Sequence, residues 1–356
     1  MSERVVVAMS GGVDSSVAAA LLVEQGFEVI GVTMRLSTSA SRCCSLEDAE
    51  DARRVADALG IRFYVADHAE DFRREVIEPF ADGYLAGRTP IPCIACNQRF
   101  KFRRLLERAR ALGAACVATG HYARIGLDPA SGGYTLRRAA DASKDQSYFL
   151  FDLDAARLAA IRFPVGELDK AAVRAHARAL GLATAEKPES QEICFVPDGG
   201  YARLVERLRP EALRGSGDVV DEGGRVIGRH SGVHRFTVGQ RRGLGLAAGR
   251  RLYVKAIDAE RNRLCVAPAE ALGSAGAALS GVSWIAGVAP RRPLRARVRV
   301  RHRHAGADAT IEPQARARAR IRFDAPVAAV TPGQAAVFYE GDVVLGGGWI
   351  AEALAE

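Results

Sequence analysis

The front of the chain limits the fold more than any other feature. A strand of buried type, RVVVAM (4–9), runs through SGGVDSS (10–16) straight into a helical run from Asp14 to Gln25 that stops at Gly26. The alternation continues with a second strand, FEVIGVTM (27–34), and a helix, SLEDAEDARRVADALG (45–60), opened by Ser45 and Asp48 in capping-box spacing and closed by Gly60. IRFYVAD (61–67) reads as a third strand, followed by a helical segment to about Leu85, a helix KFRRLLERARALG (101–113) and a strand ACVATGH (115–121). Strands alternating with helices predict a parallel sheet covered on both faces. At the first strand–helix turn, Gly11 and Gly12 let the backbone turn sharply and present N–H groups to an anion. The helix N-terminus adds its partial positive charge. Ser10, Ser15 and Ser16 supply hydroxyls, and Asp14 either caps the helix or helps hold Mg²⁺. No GK[ST] follows and no GxGxxG is present, so this is neither of the two commonest nucleotide loops. The plain alternative is a serine/glycine helix cap.

At 356 residues the chain is too long for one typical core. Residues 140–205 read as mostly helical, most clearly DKAAVRAHARALG (169–181), whereas beyond about 210 glycines multiply and short alternating strands take over. The predicted fold class is α/β: an N-terminal parallel-sheet unit with a helical extension over 1–208, a β-rich adaptor over 209–275 and a C-terminal β-barrel over 276–356. No apolar run is long enough for a membrane span. The N-terminus reads as a first strand and not as an export signal, which points to the cytoplasm, where the seven cysteines would be mostly reduced.

The net charge of +8 suits a polyanionic partner. It is equally what an Arg-rich composition produces, for lysine occurs only at Lys101, Lys144, Lys170, Lys187 and Lys255. RARVRVRHR (295–303) places Arg295, Arg297, Arg299, Arg301 and Arg303 on one strand face, and RARARIRF (316–323) repeats the pattern. A turn around Gly306 would pair the two as a hairpin. They are either solvated faces or a phosphate-tracking surface.

PCIACN (92–97) holds Cys93 and Cys96 two residues apart. In a reducing compartment such a pair leans towards catalysis, redox chemistry or metal binding over a structural staple. Asn97 is expected to begin the next helix, which would put the Cys96 thiolate beside a positive helix end and lower its pKa. Cys116 sits in an apolar strand and reads as core; Cys43, Cys44 and Cys265 have no assigned role.

The strand–SGGxDS–helix unit resembles the PP-loop of ATP pyrophosphatases, which implies cleavage between the α- and β-phosphates and adenylation of a substrate. GRTPIPCIACNQRFKF (87–102), TGHYAR (119–124), KDQSYFLF (144–151), FPVGELDKAAVR (163–174), ESQEICFVPDG (189–199), TVGQRRGLGL (237–246) and PGQAAVFYEGDVVLGGGWI (332–350) extend the resemblance over nearly the whole length. Together they resemble the tRNA-specific 2-thiouridylases. The resemblance implies an enzyme, a tRNA uridine 2-sulfurtransferase that adenylates O2 of the wobble uridine and replaces that oxygen with sulfur. Adenylation turns an oxygen that will not leave into part of a phosphate monoester that will, and a sulfur nucleophile then completes the exchange.

By the same resemblance Cys96 is the nucleophile and Cys194 carries the persulfide sulfur. The ATP contacts are Ala8, Met9, Ser10, Gly11, Gly12, Val13, Asp14, Ser15, Met34 and Gly120. The tRNA contacts are His121, Lys144, Asp145, Gln146, Arg301, His302 and Gln334. The implied cofactors are ATP and Mg²⁺, and the partners are tRNA and a sulfur-donor protein. The chain departs from the family at Cys93, where many relatives carry the Asp proposed as the acid/base group. A second route therefore stays open, in which Cys93, Cys96 and Cys194 ligate a [4Fe–4S] cluster, although such sites usually have four cysteines. Other adenylating PP-loop enzymes, and a non-catalytic tRNA-binding or iron–sulfur module, are the remaining alternatives.

Overall fold

A computed structural model describes residues 2–36, 46–129, 131–189, 193–197, 199–246 and 249–355. Cys43, Cys44 and Ser45 lie outside the described residues.

The N-terminal strands are β1 (Arg4–Ala8), β2 (Glu28–Arg35), β3 (Arg62–Asp67) and β4 (Cys116–Thr119). A hairpin of β5 (Ala123–Leu127) and β6 (Tyr134–Arg138) follows, and then the short β7 (Ile161–Arg162). β1, β2 and β4 are rich in β-branched residues and buried along most of their length, as strands covered on both faces must be. They form a five-stranded parallel sheet in the order β3-β2-β1-β4-β7. Helix α1 (Val13–Glu24) buries Val17, Ala18 and Leu22 beside β1, and α2 (Leu46–Ala58) packs against β2 and β3. From β1 the chain moves to β2 on one side and later returns to β4 on the other. The crevice beyond the C-terminal ends of β1 and β4 is therefore the topological switch point, where open α/β sheets bind ligands.

The middle of the chain forms a second, small sheet. Its strands are β8 (Gly217–Val220), β9 (Val226–His230), β10 (Tyr253–Asp258) and β11 (Arg263–Ala267), in the order β10-β11-β8-β9 around a core of Val219, Val254, Leu264 and Val266. The last six strands are β12 (Gly273–Trp284), β13 (Leu294–Arg299), β14 (Ala307–Gln314), β15 (Arg318–Ala328), β16 (Ala335–Glu340) and β17 (Val343–Leu354). They run β12-β15-β14-β13-β16-β17, and pairing of β12 with β17 closes them into a barrel.

Three expectations change. The described residues of 140–205 are not mostly helical: apart from Lys170–Ala179 and Tyr201–Leu208 they hold short turns of helix and β7. Its ordering comes from tertiary contacts, such as Tyr148 donating from its hydroxyl to the Ala335 carbonyl at 2.9 Å, which local propensity does not encode. The two arginine-rich strands are not hairpin partners. The turn at Gly306 joins β13 to β14, and β14 lies between β13 and β15. Finally, the helix assigned to 101–113 starts earlier, at Pro92, whose fixed φ and missing N–H suit a first helical position. It continues through π-type turns over Asn97–Arg104 into Leu105–Ala111.

The β5–β6 hairpin, which the periodicity of the sequence did not reveal, couples the first unit to the barrel. β6 pairs with β17 through Leu136–Val344 and Arg137–Val343. The main N-terminal core runs without a break into Ile285, Val337, Tyr339 and Val344.

Candidate active site

The crevice at the switch point is a cavity of about 400 Å³. One wall is the loop after β1. Gly11 adopts φ +71°, and a Cβ there would stand 2.2 Å from the Asp48 carbonyl oxygen, so the first turn of α2 packs directly on the loop. Within the loop the Ser15 hydroxyl accepts the Ser10 N–H at 3.1 Å and donates to the Gly12 carbonyl at 3.1 Å, while Ser16 donates to the same carbonyl at 2.9 Å. These bonds fix the turn and leave it facing the cavity. Ala8, Met9, Ser10, Gly12, Val13, Asp14, Ser15, Met34 and Gly120 all line it; Gly11 alone of the ATP set lies behind the loop, under α2. Gly120 has a steric reason to be glycine, since a Cβ would sit 2.5 Å from the Ser15 nitrogen and 2.6 Å from the Asp14 carbonyl carbon.

The cavity lining also carries sulfur. Cys93, Cys96 and Cys194 all line the same cavity, Cys93 exposed, Cys96 buried and Cys194 half-buried. Because the helix begins at Pro92, Cys93 and not Cys96 stands in its first turn. The expected start at Asn97 is replaced by a continuous helix, so the Asn97 N–H is already taken by the Cys93 carbonyl. Among the described residues no three His, Cys, Asp or Glu side chains gather so as to hold a metal ion.

The expected tRNA residues divide. His121, Lys144 and Gln146 line the cavity. His121 is buried, its Nδ1 2.7 Å from the Thr119 hydroxyl. Burial first, and the Lys101 ammonium second, hold it well below the usual imidazole range, so it stays neutral. Gln146 accepts the Tyr122 N–H at 2.9 Å. Asp145 points away from the cavity into the junction with the barrel. Its carboxylate accepts from Arg138 at 3.1 Å, Arg299 at 3.0 Å and the Ser147 N–H at 3.1 Å. His302 reaches the Asp145 carbonyl at 3.2 Å and packs, tilted, against Phe149 with centroids 4.5 Å apart. Gln334 donates to the Thr89 carbonyl at 2.9 Å, and exposed Arg301 donates to the Ala328 carbonyl at 3.2 Å. Arg301, His302 and Gln334 thus sit on the barrel side, outside the cavity lining.

A set of charges that motif reading passed over surrounds the phosphate loop. Asp14 Oδ1 accepts from Lys170 Nζ at 2.6 Å and from the Tyr122 hydroxyl at 2.7 Å. Burial, aided by the Asp14 charge, drives the Tyr122 phenol far above its ordinary range, so it remains a donor. Lys101, Lys144 and Lys187 line the cavity, and Lys170 bonds the lining carboxylates of Asp14 and Glu189. Four of the chain's five lysines therefore meet here; their scarcity is the sequence signal that could have singled them out, although it read only as an Arg-rich composition.

The described helices include none long and apolar enough to cross a membrane. Comparison with known proteins assigns each part of the chain. Residues 3–198 match the family described as tRNA methyl transferase HUP domain, 204–268 its PRC-barrel domain, and 274–350 the aminomethyltransferase beta-barrel domain. The chain is 51% identical to the tRNA-specific 2-thiouridylase MnmA of Solibacter usitatus (strain Ellin6076), over 98% of this chain and 99% of that protein. It is also 51% identical to the enzyme of the same name from Geotalea uraniireducens (strain Rf4), over 99% and 96% respectively. Among solved structures, a 4-thiouridine synthetase–RNA complex with bound ATP matches with a TM-score of 0.39 and 19% identity, covering 59% of this chain and 51% of that one.

Proposed function

Since the chain belongs to the tRNA-specific 2-thiouridylase family, we propose that it thiolates the wobble uridine of tRNA at C2, using ATP to activate the oxygen and a cysteine persulfide to replace it. The observation that carries this reading is one cavity lined both by the phosphate loop and by Cys96 and Cys194. Two successive reactions at one carbonyl group, first at its oxygen and then at its carbon, need such a shared space.

In the first step uridine O2 attacks the α-phosphorus of Mg·ATP and pyrophosphate leaves. The loop N–H groups, the N-terminal end of α1 and the lining lysines Lys101, Lys144 and Lys187 would face the charge that develops. Asp14 is the carboxylate beside the loop that would hold the Mg²⁺ accompanying ATP, which would offset phosphate charge there. In the second step the terminal sulfur of a Cys194 persulfide attacks C2 and AMP leaves. The Cys96 thiolate then attacks Cys194 Sγ. A Cys96–Cys194 disulfide forms, the sulfur stays on C2 as the thiocarbonyl, and an external thiol later reduces the disulfide. Neutral His121 and Gln146 border the place where the base would lie. The barrel, with Arg301, His302 and Gln334, would bear on the rest of the tRNA, together with the central sheet. A sulfur-donor protein would reload Cys194.

The family description's word "methyl" does not alter this reading, because a methyl transfer uses neither a pyrophosphatase loop nor two cysteines facing it. Pyrophosphate release that requires both ATP and tRNA, followed by one 2-thiouridine per pyrophosphate when the persulfide donor is present, is the expected result. ATP- and tRNA-independent behaviour would sink the proposal.

A further inference from the structure

Lys170 belongs to none of the expected ATP, tRNA or cysteine sets, yet it is more enclosed than Lys144 or Lys187. Its side chain is 14% exposed, and Nζ lies 2.6 Å from Asp14 Oδ1 and 2.7 Å from Glu189 Oε1. The other oxygen of Glu189 takes Lys144 Nζ at 2.7 Å. The result is an alternating row of charges, Asp14–Lys170–Glu189–Lys144. It begins on the phosphate loop and ends in the run expected to meet tRNA. Glu189 stands five positions before Cys194 in the sequence.

We propose that Lys170 is a positioning residue: by bridging Asp14 and Glu189 it latches the segment that carries Cys194 onto the phosphate loop, so that sulfur transfer stays coupled to adenylation. This rests on the proposed two-step reaction.

Three observations support the latch. The backbone of Lys170 is fixed at the start of the helix Lys170–Ala179, where Asp169 caps the helix by accepting the Ala172 N–H at 2.7 Å and Asp141 accepts the Lys170 N–H at 3.3 Å. The side chain therefore reaches from an anchored base. The same segment is tied at a second point, because Lys187 Nζ lies 2.7 Å from Asp48 and 2.6 Å from Asp51 on α2, the helix whose first turn seats Gly11. Both ties thus end on the loop or on the element packed against it. The residue type fits as well. An ammonium is a compact charge with three rotatable donors that serves two carboxylates at once, whereas the flat guanidinium fork suits one carboxylate bidentately. Lys187 serves Asp48 and Asp51 in the same way.

The test compares wild type with Lys170→Met, Lys170→Arg and Glu189→Gln in the full-length protein. It measures pyrophosphate released, 2-thiouridine formed, and the rate at which iodoacetamide alkylates Cys194, resolved by peptide mass. Glu189→Gln leaves the Lys170–Asp14 contact in place. It should keep pyrophosphate release within a few-fold of wild type while 2-thiouridine per pyrophosphate falls between about tenfold and a hundredfold. Lys170→Met should show the same loss of coupling. Both should alkylate Cys194 several-fold faster, and Lys170→Arg should recover only part of the coupling. Proportional loss of both products, or unchanged coupling with unchanged alkylation, would overturn the latch. If wild type forms no 2-thiouridine, the proposed function fails instead, and the alkylation rates still decide whether Lys170 holds the Cys194 segment.

Discussion

The carboxylate of Asp145 and the guanidinium of Arg299, 3.0 Å apart and almost wholly enclosed, join the N-terminal unit to the barrel. Arg138 shares the same carboxylate oxygen, and Arg299 lies over the rings of Tyr148 and Tyr339, 5.7 Å from each centroid. Removing the acid would leave buried positive charge without its counter-ion. Asp145→Ala should therefore destabilise the protein by about 3–5 kcal/mol. Arg299→Met, which leaves Asp145 paired with Arg138, should cost less. Urea unfolding of both variants checks the order. Equal, small losses would mean that the junction does not depend on the pair.

Gly120 offers a steric test of the phosphate loop. A methyl group there meets the backbone of Asp14 and Ser15 and not a yielding side chain. Gly120→Ala must push the loop and β4 apart, and a displacement near 1 Å at a reacting site costs on the order of 100-fold. Pyrophosphate release should fall by that order, with thermal stability measured alongside. Wild-type release from a folded Gly120→Ala variant would detach Gly120 from the nucleotide site.

How much of this was legible beforehand depended on whether the signal was local. β1, α1, β2, β3 and β4 follow from period and punctuation, and so does the loop after β1. The β5–β6 hairpin did not, because its strands are half-exposed and their purpose is pairing with β17, some 200 residues downstream in sequence. Asp145 read as one of a polar run beside Lys144 and Gln146. That its side chain turns into the junction is set by Arg299, which itself interrupts the expected row of exposed arginines: Arg295 and Arg297 are exposed, and Arg299 is buried. Lys170 escaped because its motif match carried no role, and only the fold brings it to Asp14.

Protonation should limit stability in mild acid. Burial lowers the imidazoles of His68, His121, His230, His302 and His304, and at His121 the Lys101 charge adds to the effect. The unfolded chain takes up these protons near pH 6.5 and the folded chain does so only at lower pH. The unfolded state then binds more protons, so stability is fully present above about pH 6.5 and is lost as pH falls below it. His121→Gln should remove up to one proton from that dependence, about 1.4 kcal/mol per pH unit at most. Denaturant midpoints between pH 5 and 7.5 measure it; an unchanged slope would mean that His121 is not held neutral.

Arg301 tests the barrel as an RNA surface. Its guanidinium is exposed, with one backbone contact at Ala328. If it meets a phosphate, Arg301→Ala should weaken tRNA binding at low salt and flatten the plot of log affinity against log salt by about one unit. An unaltered slope would return Arg301 to a solvated strand face.

Cys93 decides between the two sulfur chemistries. It is exposed in the first turn of the helix that carries Cys96, where a carboxylate would be favourably placed against the helix dipole. Under the persulfide route Cys96 and Cys194 do the sulfur chemistry, and Cys93 only occupies the position where the family resemblance implies an Asp. Cys93→Asp should then keep activity within about tenfold of wild type, the scale of a single acid/base contribution being larger than that, and should do so without iron. Cys96→Ser and Cys194→Ser should each form no 2-thiouridine. Under a cluster route all three cysteines are ligands, and Cys93→Asp must lose iron and activity together. Thiolation by anaerobically prepared, iron-reconstituted protein, with iron assayed on every variant, separates the two. An active, iron-free Cys93→Asp enzyme is the expected outcome; an inactive one that has also lost iron bound by wild type would overturn the persulfide route.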